Sequence, residues 1–496
     1  MGKIALPTEI VTSDKTPRTA IGLDRTSGAK QTSPTALEVL LVGQMVSTAT
    51  VAANTPTMLL REDDGANYFG AGSMIDVACR AAFLANPFVK LSAVAVADGG
   101  VKATGTVTFV GNAGVSTAFR IRIAGVEYAI DVSAADTPTI MAAALAAKVN
   151  ADKACPVTAV AAIGVVTLTA DNGGTVGNGI RLAFNSGTLT GGFDAPTSQV
   201  VTTATLSGAT LAAGTGTASL TNALASATGK RYHKIAILLD DSTAGGSAKL
   251  HTDTEGDAEH SHGEQYVQVL NGTLSAATTL AGTANAYRGV LGAINGSETW
   301  SVAICAAFAA AWSREEVPTR PLNGLVLNGV LPPPIATRWS RTETRTLLDN
   351  GVTPLYVVPG EQVAIMRAVV TGVKNTAGDF DYSMLDVTKI QGFDFFRDNI
   401  KLMFDTNYSR SRWADSDPDG LLPTDVATPE KVRIDLIDVA RDMEALGVVQ
   451  NVDAVKDQFI VEKNGTHCEF SVPAIIVDGM HEKLGKIVNI LRVPLS

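Results

Sequence analysis

The chain has 496 residues, too many for a single hydrophobic core, and 39 Lys and Arg against 49 Asp and Glu give it a formal net charge of −10. Aromatic residues make up only 5% and charged residues 18%, the difference being filled by Ala, Thr and Gly, a texture suited to burying surface against copies of the same chain. The acidic balance argues against a non-specific nucleic-acid binder, which needs basic patches to neutralise phosphate, and no run of about 18 apolar residues is present to cross a membrane.

The four cysteines, Cys79, Cys155, Cys305 and Cys468, contain no C-x-x-C pair and read as buried small residues of a protein made in a reducing cytoplasm. The opening MGKIALPTEI lacks the apolar core and cleavage site of a signal peptide. Residues 1–30 are punctuated by Pro7, Pro17, Gly22 and Gly28 and read either as a frayed terminus or as an arm. Ile4, Leu6 and Ile10 would let such an arm add a strand to a neighbour's sheet.

From Ala36 the pattern is α/β. Leu37 to Val42 and Leu91 to Ala97 read as buried strands. Between them Ser73 caps a helix that carries Ile75, Cys79, Ala82 and Phe83 on one face and ends at Asn86-Pro87. The Gly-Ala-Gly-Ser before that helix lacks the P-loop lysine and a full G-x-G-x-x-G, so it reads as a cap rather than a phosphate cradle. From Gly99 the texture changes to short strands, Gly105 to Val110, Phe119 to Ala124, Glu127 to Val132, Val157 to Ala162, Val165 to Ala170 and Ile180 to Phe184. One Ala-rich helix, capped at Asp136-Thr137-Pro138, interrupts them, and Asp171 to Gly174 reads as a tight turn. The segment 99–224 is therefore expected to be a β-rich insertion.

Lys234 to Leu239 resumes the α/β texture, followed by Asp240-Asp241 at the place where α/β enzymes hold ligands. His251, His260 and His262 stand among Asp253, Glu255, Asp257 and Glu259, but without H-x-E or H-E-x-x-H spacing; the run reads as a solvated helix and loop, with a metal-dependent α/β enzyme as the competing reading. Tyr266 to Leu270 is another strand, and Thr299 to Trp312 is a helix apolar all round, hence buried. Pro318 and Pro321 mark the expected crossing into a C-terminal domain. There, a charged helix from Arg338 to Leu348 stops at Asn350-Gly351, and two short strands flank Pro359-Gly360. Pro429 to Leu446 is the clearest helix, capped by Thr428, with Val432, Leu436, Val439, Ala440 and Met443 on one stripe. Asn464-Gly465 reads as a type I′ turn of a hairpin, and the tail holds Ile487, Val488, Ile490, Leu491 and Val493, strand formers with little left to pair with in their own domain.

Pro332-Pro333-Pro334 followed by Trp339, Arg341, Glu343, Arg345, Leu347, Leu348, Asn350 and Gly351 resembles the start of the C-terminal domain of contractile phage tail sheath proteins of the Mu type. The likeness continues at Asp381 to Val387, Phe395-Phe396-Arg397 and Thr428-Pro429-Glu430, and earlier at Phe69 to Ser73 and Ala85-Asn86-Pro87. It implies a multidomain α+β and α/β fold: an arm at 1–30, a discontinuous α/β domain at 31–98 and 225–315, the insertion at 99–224, a C-terminal domain at 316–479 and a strand arm at 480–496. It further implies a non-enzymatic structural subunit without cofactor or metal. Such subunits form stacked hexameric rings around a tail tube, linked by interlaced arms and joined to baseplate and tail terminator proteins. No nucleic acid is contacted directly and no membrane is entered, and the place of the protein is the virion tail after assembly in the bacterial host cytoplasm. A contractile bacteriocin or injection device fits the same residues. The resemblance also offers Lys431, Arg433, Asp435, Asp438, Arg441 and Asp442 as a helix surface facing the tube. A polysaccharide-binding module would rest on the inserted β-rich segment alone.

Overall fold

The computed structural model describes residues 37–184, 192–194, 202–417, 422–423 and 425–481. The two expected arms, with Ile4, Leu6, Ile10, Ile487, Val488, Ile490, Leu491 and Val493, lie outside them.

In chain order the first elements are β1 (Glu38–Gln44), β2 (Thr57–Leu59), α1 (Asp64–Phe69), α2 (Met74–Ala85) and β3 (Lys90–Val96). Then come β4 (Lys102–Val110), β5 (Thr117–Ile123), β6 (Val126–Val132), α3 (Pro138–Ala151), β7 (Val157–Ala162), β8 (Val165–Gly173), β9 (Leu182–Phe184) and β10 (Thr203–Leu206). The chain returns through α4 (Thr221–Ala227), β11 (Lys234–Ile237), α5 (Ser242–Glu255), β12 (Gln265–Asn271), α6 (Leu274–Ala284), β13 (Gly289–Ile294) and α7 (Ser301–Trp312). It ends with α8 (Arg341–Asp349), β14 (Val352–Val358), β15 (Gln362–Ile365), α9 (Val387–Asn407), α10 (Pro429–Ala445) and a hairpin of Ile460–Asn464 and His467–Ser471.

One eight-stranded sheet, in the order β15-β14-β13-β12-β11-β1-β3-β2, organises the fold. Its six inner strands are parallel and its two edge strands antiparallel. Strands buried on both faces must be apolar throughout, and Val39, Leu40, Leu41 and Val42 of β1 are fully buried. Helix α7 lies against α2 and over β11 and β12, which is why it is apolar on every side: all of it but Ala303 is buried. The cap of α2 is as expected, the Ser73 side chain accepting from the Asp76 amide.

Between β3 and β11 the chain builds two smaller antiparallel sheets, β10-β4-β8-β7 and β6-β5-β9. Phe109, Phe119 and Phe193 meet edge-on or tilted in their shared core. Asp171 to Gly173 does not turn here. Strand β8 runs on to Gly173, paired with Lys102, because Asn172 is buried and bonded rather than facing water.

The expected boundary at 316 cuts through the large sheet. Strand β14 pairs in parallel with β13, so the sheet continues past the prolines, which only punctuate the loop leading to it. The tryptophan motif has a local cause. The Trp339 indole donates to the Ala293 carbonyl at 3.1 Å, pinning the entry of α8 to the end of β13. Ser340 and Glu343 then form a capping box, so the helix starts at Arg341 rather than Arg338. Gly351 has φ +72°, and a Cβ there would lie 2.7 Å from the Val370 carbonyl oxygen.

A second core forms where α9, α10 and the hairpin meet, around Phe396, Met403, Leu436, Met443 and Phe459. The hairpin turn is displaced by one residue from the expected Asn464-Gly465. Asn464 pairs with His467, leaving Gly465 and Thr466 at its centre. Only Gly465 of the two has positive φ, +60°, whereas a type I′ turn needs both.

Candidate functional site

In a doubly wound sheet the ligand crevice opens at the carboxyl ends of the strands where the winding reverses, here between β1 and β11. Protein fills it. The Asn172 side chain accepts from the Met74 amide at 2.8 Å and donates to the Met45 carbonyl at 3.1 Å. The Trp300 indole donates to the Val176 carbonyl at 3.2 Å, and the Asp98 carboxylate accepts from the Gly173 amide at 2.8 Å. The end of β8 and the turn after it thus occupy the space a substrate would take. The Gly-Ala-Gly-Ser loop is closed too. The buried Asp76 carboxylate accepts from the Gly72 amide at 3.0 Å and pairs with Arg80, placing an anion where a phosphate would sit.

At the end of β11, burial, with Asp241 adding repulsion, pushes the Asp240 carboxyl up to about 6. Ser301 donates to it at 3.4 Å, and Asp241 caps α5. The histidine run is dispersed. His251 meets Glu264 at 3.1 Å, His260 meets Asp257 at 3.1 Å and His262 meets Glu255 at 2.8 Å, each with its own carboxylate. Among the described residues, no three His, Cys, Asp or Glu are placed to share a metal. The run is also not simply solvated, since His251 and Glu255 are buried.

The amino ends of the same strands hold a cluster that the sequence did not announce. Asp394 of α9 accepts from Arg288 at 2.7 and 2.9 Å, from Arg397 at 3.2 Å and from Gln265 at 3.1 Å. Lys234, 1% exposed, donates to Gln265 at 2.6 Å and lies 3.9 Å from the centre of a Trp312 ring. Burial holds its amine well below the ordinary lysine range, with Asp394 opposing and Arg231 and Arg288 reinforcing the shift. Asp398 binds Arg231 at 2.7 Å. Together these groups dock α9 on the sheet.

On α10, Lys431, Asp435, Asp438 and Asp442 follow one another at helical spacing along one side, with the exposed Arg441 beside them. Asp435 accepts from Tyr408 at 2.7 Å and Arg441 donates to Asp453 at 3.2 Å. Arg433 does not join this side. Its guanidinium donates to the Phe459 and Lys456 carbonyls at 3.0 and 3.1 Å, tying the helix to the hairpin. The hairpin pairs only with itself among the described residues, leaving both outer edges open, with Ile460 and Phe470 exposed.

Residues 213–371 match the family described as phage tail sheath protein central domain, a segment that starts shortly before α4 and runs past β15, through the expected boundary at 316. The Mu-like prophage FluMu tail sheath protein of Haemophilus influenzae is 27% identical over 466 residues, 92% of this chain and 93% of that protein. Among solved structures, a sheath tail protein of Desulfitobacterium hafniense shares the fold with a TM-score of 0.50 at 14% identity, over 93% of this chain and 97% of that one. A sheath tail protein of Listeria innocua gives a TM-score of 0.46 at 12% identity, over 89% and 95%. Residues 213–371 are thus similar to the central domain of phage tail sheath proteins. Over nearly its full length the chain is similar to the Mu-like type.

Proposed function

We propose that the chain is the structural subunit of a contractile tail sheath, polymerising as stacked hexameric rings around a tail tube and shortening to drive the tube through a host envelope. The observation that carries this reading is the end-to-end similarity to the Mu-like sheath protein. The filled crevice supports a non-enzymatic role, since the place where this fold would hold a substrate is taken by Asn172 and the Val176 backbone. A heterologous contact that does not close generates a helical array, and energy stored in subunit contacts can drive repacking without a nucleotide.

The open hairpin edges are the acceptors for the arm strands, those of residues 1–30 and 480–496. Lys431, Asp435, Asp438, Arg441 and Asp442 of α10 face the tube. We divide the chain into the α/β domain, the insertion at 99–224 and a C-terminal domain that begins after β15. Its further partners are baseplate and tail terminator proteins, and assembly takes place in the host cytoplasm. A phage-derived bacteriocin or injection device would use the same subunit. In particles purified from producing cells, antibody against the chain should decorate the whole shaft, in a layer that shortens on contraction. Label confined to one end of the tail would sink the reading.

A further inference from the structure

Phe88 is 94% exposed, the most exposed large apolar side chain among the described residues, in a chain whose aromatic content is 5%. Its position is fixed rather than loose. The Asn86 side chain is buried, donating to the Ala310 carbonyl and the Ser313 hydroxyl at 3.2 Å, and its oxygen accepts from the Phe88 amide at 3.2 Å. Pro87 restricts the backbone between them. A turn anchored inside the fold therefore holds a benzyl group out in water, which is costly for a solitary molecule and useful for a contact.

A matching recess lies elsewhere on the same sheet. Ile294, Trp339, Leu355, Val357 and Met366 line a mostly apolar cavity of about 200 Å³. About 150 Å³ is enough to hold a benzene ring. The chain's own Phe88 is out of reach. It precedes β3, whereas the recess is built on β14 and the end of β13, across about 24 Å of sheet.

We propose that Phe88 of one copy inserts into the Trp339–Met366 recess of the next, forming a head-to-tail contact within the assembly. Knob and recess are different surfaces at opposite ends of one sheet, so the contact is heterologous, and repetition propagates a ring or a helix instead of closing a dimer. The proposal rests on the sheath reading and names one contact that holds the sheath together. Two residues that line the recess, Arg338 and Trp339, belong to the very stretch that resembles the sheath family. That stretch then has a second use beyond capping α8.

The experiment compares assembly of the purified full-length chain with that of Phe88→Ser, and adds a cross-linking pair. Removing an exposed ring should leave the monomer's thermal melt in place while raising the concentration needed for assembly roughly tenfold or more. In a Cys468→Ser background, the chain carrying both Lys90→Cys, beside an intact Phe88, and Thr337→Cys should give a ladder of covalent multimers with a short bis-maleimide, and either substitution alone should not. Wild-type cylinders with Phe88→Ser assembling at the same concentration, or cylinders of the double variant without a ladder, would overturn the contact and leave the sheath reading standing. Failure of the wild-type chain to assemble would remove both.

Discussion

The Asn172 side-chain oxygen accepts the Met74 backbone amide at 2.8 Å, joining the last turn of an inserted strand to the first turn of a core helix 98 residues earlier. The insertion is therefore part of what satisfies the central sheet, and its amide closes the crevice that other doubly wound folds leave for a ligand.

Asn172→Ala should lower stability by about 1–3 kcal/mol, because it leaves the buried Met74 amide without its acceptor and removes the donor to the half-buried Met45 carbonyl. Urea unfolding followed by far-ultraviolet circular dichroism measures it. An effect below ~0.5 kcal/mol would mean that water replaces the amide and the crevice is accessible.

Asp240 predicts a pH dependence of definite sign. Its carboxyl is raised to about 6 from 3.8, so the folded state holds the proton more tightly than the unfolded one. The stability this contributes is complete below 3.8 and lost as the pH rises through 6. Asp240→Asn should accordingly stabilise the protein at pH 7 by on the order of 1–3 kcal/mol, and the gain should fade as the pH falls toward 4. A gain that grows on acidification would contradict the assignment.

Asp394→Ala would remove the carboxylate that Arg288 hydrogen-bonds, next to a buried Lys234, at a cost of about 3–5 kcal/mol. Adding Arg288→Met should recover a large part of the loss, since an absent buried pair is cheaper than a broken one. Thermal melts of the single and double variants decide it, and equal melts for both would show that α9 is held by other contacts.

Much of this fold was legible because its causes are local. Ser73, Thr428 and Pro429 are read as caps directly, and the all-round apolarity of α7 can only mean burial. The large sheet was cut at 316 because prolines between α7 and β14 look the same whether they separate domains or punctuate a loop. Register decides that, and the β13–β14 register is a long-range property. The docking cluster was silent for the same reason: Arg288 and Asp394 are 106 residues apart and carry no spacing signal. His251 and Glu255 looked solvated because polar residues dominate their run, yet Glu264 and His262 each supply a partner that makes burial tolerable. For α10, helical periodicity alone groups Lys431 with Asp435, Asp438 and Asp442. Arg433, offered with them by the resemblance, lies on another side, where its guanidinium donates to the Phe459 and Lys456 carbonyls.

The dispersed histidines predict that the run from His251 to His262 holds no metal. Protein purified without chelator should carry no stoichiometric zinc, and its melting temperature should not move on adding EDTA. A melt that drops by several degrees with EDTA would restore the metalloenzyme reading.

The most direct test of a self-assembling sheath is negative-stain electron microscopy of the purified full-length chain beside one truncated after Gly479. Long hollow cylinders are expected from the full-length protein, and their loss is expected on removing the last residues, proposed above as an arm between neighbouring copies. Small monodisperse particles from both, across a range of salt, would contradict it.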